Sequence, residues 1–152
     1  MRRILIIDDQ AQVRTAVSLA LRAKGFEVVT AENGHAGLRA FKASKFDLAI
    51  VDIFMPEMDG VKLIKALRER NPGLPVIAVS GVHLPDSDRT ALDLFPLTRN
   101  LCGIVCLQKP FGPVELMRAI ATATAAAKPT ESQNPELSAA TGPNQSEPAL
   151  GA

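Results

Sequence analysis

The chain of 152 residues reads as an α/β domain built on a doubly wound parallel sheet. Three observations predict this. Short, largely apolar runs recur along the first two thirds of the chain, amphipathic stretches separate them, and glycine or proline stops stand where those stretches end. A run that is apolar at successive positions is buried on both faces, which is the condition of a parallel strand covered by helices on either side.

Five runs qualify as strands: Ile4–Ile7, Phe26–Val29, Leu48–Val51, Val76–Val79 and Ile104–Leu107. Between them the first helix is expected over Ala11–Lys24. Its Val13, Val17 and Leu21 recur at i, i+4 and i+8, with Ala16 and Ala20 beside them, and Gly25 closes it. A second helix is expected over Gly34–Ala43 and a third over Val61–Arg70, ended by Asn71-Pro72-Gly73. A poorly defined helical stretch falls near Asp86–Leu94, and a last helix is expected over Pro113–Ala127. The folded domain is placed at residues 1–125. Residues 126–152 are rich in Ala, Pro, Ser, Thr and Asn, with Pro129, Pro135, Pro143 and Pro148 among them, and are expected to be a disordered tail, its first residues prolonging the last helix.

Composition narrows the function. Seventeen basic against sixteen acidic residues leave a formal charge of +1, so no single-sign field marks a nucleic-acid or membrane binder. The opening run Ile4–Ile7 meets Asp8-Asp9 too soon for a signal peptide or a membrane span. Cys102 and Cys106 are too few for a disulfide framework or a closed zinc site, and a cytoplasmic location is expected.

In open parallel sheets, functional groups gather beyond the carboxyl ends of the strands. Those positions are Asp8-Asp9 after the first strand, Asp52 after the third, Ser80 after the fourth and Lys109 after the fifth. One acidic residue after a strand is ordinarily a helix cap or a solvated turn. Three converging carboxylates repel by roughly 4 kcal/mol per close pair at an effective dielectric near 20 unless a cation joins them. Hard oxygen ligands with incomplete protein coordination suit Mg2+, and a lysine and a hydroxyl beside them suit the oxygens of a transferring phosphoryl group. A carboxylate so placed can itself accept the phosphoryl as an acyl phosphate, and Asp52, central among these positions, is the candidate.

Four ordered motifs carry a resemblance: Ile4-Leu-Ile-Ile-Asp-Asp9, Val51-Asp-Ile-Phe-Met-Pro-Glu-Met-Asp-Gly60, Ala78-Val-Ser-Gly81 and Leu107-Gln-Lys-Pro-Phe111. Together they resemble the receiver domain of bacterial two-component response regulators, the CheY-like fold. The resemblance implies a five-stranded sheet in order 2-1-3-4-5. It implies that Asp52 takes a phosphoryl group from a histidine kinase or a histidine phosphotransfer protein. It implies that Mg2+ is held directly by Asp9, Asp52 and the backbone carbonyl of Phe54, and through water by Asp8. Ser80 and Lys109 would meet the phosphoryl oxygens, and the Lys109–Pro110 bond would be cis. On this reading the domain catalyses only its own phosphorylation. With no helix-turn-helix or basic cluster following, it is expected to signal through a downstream protein partner rather than through DNA.

Several positions depart from the family's pattern. Cys106 stands where a tyrosine or phenylalanine is usual, as a small strand residue or, with Cys102, a redox-sensing pair. Between Ser80 and Lys109 lie 28 residues, including Pro85, Pro96 and the Phe95 and Leu97 that either cover the core or form a docking patch. His83 and His35 read as surface loop or helix residues. Pro56, Asp59 and Gly60 shape the loop after Asp52, with Asp59 placed to cap the following helix. Phe54 and Val82 follow Asp52 and Ser80 by two positions and, being apolar, cannot orient water, so a long-lived phosphorylated state is expected. Two alternatives stay open. One is a scaffold whose binding ignores phosphorylation. The other is a metal-dependent phosphohydrolase, which Phe54 disfavours because no second carboxylate follows Asp52 by two residues.

Overall fold

The computed structural model describes residues 2–81 and 104–127. Five strands form one parallel sheet: β1 Arg3–Ile7, β2 Glu27–Ala31, β3 Leu48–Asp52, β4 Val76–Ser80 and β5 Ile104–Gln108, in the order β2-β1-β3-β4-β5. Among the described residues, four helices accompany it: α1 Ala11–Ala23, α2 Gly34–Ala43, α3 Gly60–Arg70 and α4 Pro113–Ala127. The parallel sheet and its strand order are those expected. The second strand begins at Glu27 rather than Phe26 and runs on to Ala31, because β1 pairs with it in register from Arg3↔Glu27 to Ile7↔Ala31. The helix expected near Asp86–Leu94 lies outside the described residues, as do Val82, His83, Phe95, Leu97, Cys102 and the tail beyond Ala127.

Alternation along each strand divides the core in two. Ile4, Ile6, Leu48, Ile50, Ile77 and Val79 face α1 and α4, packing on Val17, Leu21, Leu116, Ile120 and Ala123. Their neighbours Leu5, Ile7, Ala49, Val51, Val76 and Ala78 face the opposite side and pack on Leu63, Ile64 and Leu67 of α3, with Phe46, Met55 and Leu74. Burying a side chain of this size stabilises the fold by about 1.5–3 kcal/mol. That is why β1, β3 and β4 tolerate almost no polar residue until their carboxyl ends.

Local sequence sets the helix ends. Gly25 adopts φ +90, and the N–H groups of Gly25 and Phe26 donate to the carbonyls of Arg22 and Leu21, closing α1 in a Schellman arrangement. Asn33 caps α2 by accepting from the Ala36 N–H at 2.8 Å. Asp59 caps α3 by accepting from the Val61 N–H at 2.9 Å, the role its spacing predicts. The glutamate of α4 reaches back, with Glu115 Oε2 accepting from the Gly112 N–H at 2.7 Å. Among the described residues, no helix is long and apolar enough to cross a membrane.

Candidate phosphoacceptor site

Because β1 and β3 are neighbours in the sheet, the residues that end them meet at one edge. Carboxylate oxygens of Asp8, Asp9 and Asp52 all lie within 4.8 Å of one another. Asp8 and Asp52 are each only 3% exposed, whereas Asp9 faces solvent. Lys109, one residue beyond β5, reaches across β4 to both buried acids, with its Nζ 2.9 Å from Asp8 Oδ2 and 3.3 Å from Asp52 Oδ2. Its own N–H donates to the Ser80 carbonyl at 2.8 Å, extending the β4–β5 ladder to the rim of the site, and the following peptide bond to Pro110 is cis.

The loop after β3 holds the central acid. The Phe54 N–H donates to Asp52 Oδ1 at 2.9 Å, and Phe54 bridges to Asp59 in an antiparallel pair, folding the loop back towards α3. On the other strand, the Gln10 N–H donates to Asp8 Oδ1 at 2.8 Å and Arg14 Nη1 to the Asp8 carbonyl at 2.8 Å. Each buried carboxylate therefore has one oxygen on a backbone N–H and the other on the lysine.

Desolvation raises the pKa of Asp52 above its ordinary 3.8, and the negative charge of Asp8 adds to the rise; the Phe54 N–H and Lys109 oppose it without cancelling it. For Lys109, partial burial disfavours the ammonium, but the hydrogen bond to Asp8 and the charges of Asp52 and Asp8 outweigh it and hold the lysine above its ordinary 10.5. With three carboxylates and one ammonium, the cluster is two positive charges short of neutral. All the acidic donors are hard oxygens and Asp9 opens to solvent, so the set fits a divalent ion that keeps part of its water shell.

The response regulator receiver domain family matches residues 4–121. The chain belongs to this family. Curated relatives of the receiver domain include the transcriptional regulatory protein GlrR of Escherichia coli, 40% identical over 85 residues, which are 55% of this chain and 19% of that protein. The transcriptional regulatory protein PrrA of Mycobacterium tuberculosis is 38% identical over 89 residues, 59% of this chain and 38% of that protein. This chain thus spans well under half the length of either. Among solved structures, a CheY-like receiver from Methanospirillum hungatei superposes with TM-score 0.73 at 27% identity, covering 84% of this chain and 96% of its own. The response regulator TrrA of Thermotoga maritima, in complex with Mg2+ and BeF, superposes with TM-score 0.66 at 27% identity, covering 81% and 99%. Receiver domains belong to the response regulators of two-component systems, and phosphorylation on an aspartate is their general function.

Of the residues singled out in the sequence, Asp8, Asp9, Asp52 and Lys109 converge as one cluster. Ser80 ends β4 beside them, nearly buried and in register with Gln108. The Phe54 N–H reaches Asp52, while the residue as a whole is 43% exposed. Cys106 is an exposed free thiol on β5, and desolvation raises its pKa, opposite to the shift of a reactive thiolate. His35 is exposed on α2.

Sequence reasoning missed Gln10. Its Oε1 accepts from Lys109 Nζ at 3.1 Å. One signal was available: Gln10 occupies the N-cap of α1, where Ser, Asp or Asn is usual, and its side chain makes no cap bond.

Proposed function

We propose that Asp52 is the phosphoacceptor, served by Mg2+ and by a histidine kinase or histidine phosphotransfer protein as donor. The observation that carries this reading is the Lys109 ammonium seated on both Asp8 and Asp52 within a cluster of three carboxylates. The Mg2+–BeF complex of the Thermotoga relative supports the choice of metal.

An Asp52 carboxylate oxygen attacks the phosphorus of a phosphohistidine, the P–N bond breaks, and the imidazole leaves with a proton from solvent. Asp8, Asp9, Asp52 and the Phe54 carbonyl would hold the metal, whose charge would be supplied to the phosphoryl oxygens. Lys109, already at Asp52, transfers hydrogen bonding to a phosphoryl oxygen, and the Ser80 hydroxyl meets another. The Phe54 N–H keeps the carboxylate oriented by holding Oδ1. A groove of about 300 Å3 lined by Asp9, Met55, Pro56 and Met58 opens beside the cluster. The phosphorylated domain is then read by a downstream protein partner.

Intact mass spectrometry after incubation with acetyl phosphate tests this. A single phosphoryl adduct that needs both Mg2+ and Asp52, and so is lost in Asp52→Ala, is the expected result. No adduct on the folded wild-type chain would overturn it in favour of a scaffold that works without phosphorylation.

A further inference from the structure

The Lys109 ammonium has three hydrogens and three acceptors: Asp8 Oδ2 at 2.9 Å, Gln10 Oε1 at 3.1 Å and Asp52 Oδ2 at 3.3 Å. Two of these acceptors are carboxylates of the cluster suited to a cation, and a carboxylate that shares its lone pairs with a cation holds an ammonium less well. The third is a neutral amide. Gln10 is anchored on both sides, its N–H on Asp8 Oδ1 and its carbonyl accepting from the Arg14 N–H at 3.1 Å in the first turn of α1. Its side chain spends nothing on capping that helix.

We infer that Gln10 is a positioning residue for phosphoryl transfer: its amide oxygen holds the Lys109 ammonium beside Asp52 when Asp8 and Asp52 are engaged by the metal and the phosphoryl group. This rests on the reading of Asp52 as phosphoacceptor. A side chain without an acceptor at position 10 would leave the Lys109 ammonium with only the carboxylates and the phosphoryl group to hold it. The glutamine amide supplies a neutral acceptor that is not one of the cluster's carboxylates.

The test is a double-mutant cycle of Gln10→Ala and Lys109→Ala. Phosphorylation by acetyl phosphate is followed by mass spectrometry, Mg2+ binding by calorimetry without donor, and thermal unfolding by circular dichroism. In the Lys109 background, Gln10→Ala is expected to lower the maximal rate about tenfold, the scale on which misplacement of a positioned group acts. The half-saturating donor concentration and the Mg2+ affinity stay within about twofold, because Gln10 binds neither. In the Lys109→Ala background the same change costs less than about twofold. Equal slowing in both backgrounds, no slowing with Lys109 present, or a tenfold loss of Mg2+ affinity would each overturn the inference. A wild-type chain that forms no adduct defeats the phosphoacceptor reading itself, and is thereby distinguished from a failure confined to Gln10.

Discussion

Gly60 rests directly on the backbone of Ile53: a Cβ at position 60 would fall against the Ile53 Cα and 2.8 Å from the Asp52 carbonyl oxygen. The first residue of α3 is therefore pinned to the residue that follows the candidate phosphoacceptor, with the Gly60 N–H donating to the Ile53 carbonyl at 3.4 Å. Both neighbours are backbone, which cannot swing aside. Gly60→Ala is expected to destabilise the domain by about 1–3 kcal/mol, the range for forced overpacking, and to displace Asp52 from Lys109. Urea unfolding checks the first effect, and the rate of adduct formation with acetyl phosphate checks the second.

Asp52 carries a cost that the metal-free protein feels. Because burial places its pKa above 3.8, the folded chain binds that proton more tightly than the unfolded chain, and stability falls as pH rises through the window above 3.8. At neutral pH, Asp52→Asn is expected to raise the thermal midpoint of the metal-free domain by a few degrees, and the gain shrinks as pH falls and the wild-type carboxyl takes up its proton. Added Mg2+ reverses the ranking by stabilising the wild type more than the variant. Calorimetric melts with EDTA or with Mg2+ test both statements.

Charged Lys109 stabilises the fold where charged Asp52 costs it, although in both cases stability falls as pH rises. Its pKa in the fold lies above the ordinary 10.5, so its stabilisation is fully present below pH 10.5 and is lost as pH rises through the raised value. Lys109→Met is expected to be less stable than wild type at pH 8 in EDTA, because Asp8 and Asp52 then face each other without a cation, and the difference narrows above pH 10.5. The same variant should bind Mg2+ severalfold more tightly, since the ammonium no longer competes for the carboxylates. Isothermal calorimetry reads this directly. Unchanged affinity would mean that Lys109 and the metal do not share the site.

Phe54, two residues beyond Asp52, is exposed, and its ring carries no group able to orient water. Phe54→Asn is expected to hasten loss of the phosphoryl group about tenfold or more, the lower end of what a positioned polar group contributes. The decay of the phosphorylated mass with Mg2+ present measures it.

What the sequence made legible followed from burial. Runs such as Leu5-Ile-Ile7 and Ala49-Ile-Val51 can only be strands covered on both faces, and the charged residues that end them can only lie at the sheet edge. Asp8, Asp9, Asp52 and Lys109 were therefore readable as a cluster once strands were placed. The boundaries of β2 were less so, because Glu27 is exposed and Thr30 is polar, and only pairing with β1 extends that strand to Ala31. Gln10 was hidden for a different reason. A glutamine carries no periodicity, and its contact with Lys109 spans 99 residues of chain. Gly60 was readable as a turn former, but its close approach to Ile53 depends on where α3 crosses the loop.

The strand order has a consequence for the growing chain. Asp8 waits for Asp52, which arrives with β3, and both wait for the Lys109 that follows β5, the last strand to be made. A polypeptide that has emerged only as far as β3 carries Asp8 and Asp52 without the ammonium that pairs with both in the finished fold. Completing the fifth strand thus both finishes the sheet and delivers the counter-charge, so the site is whole only when the sheet is.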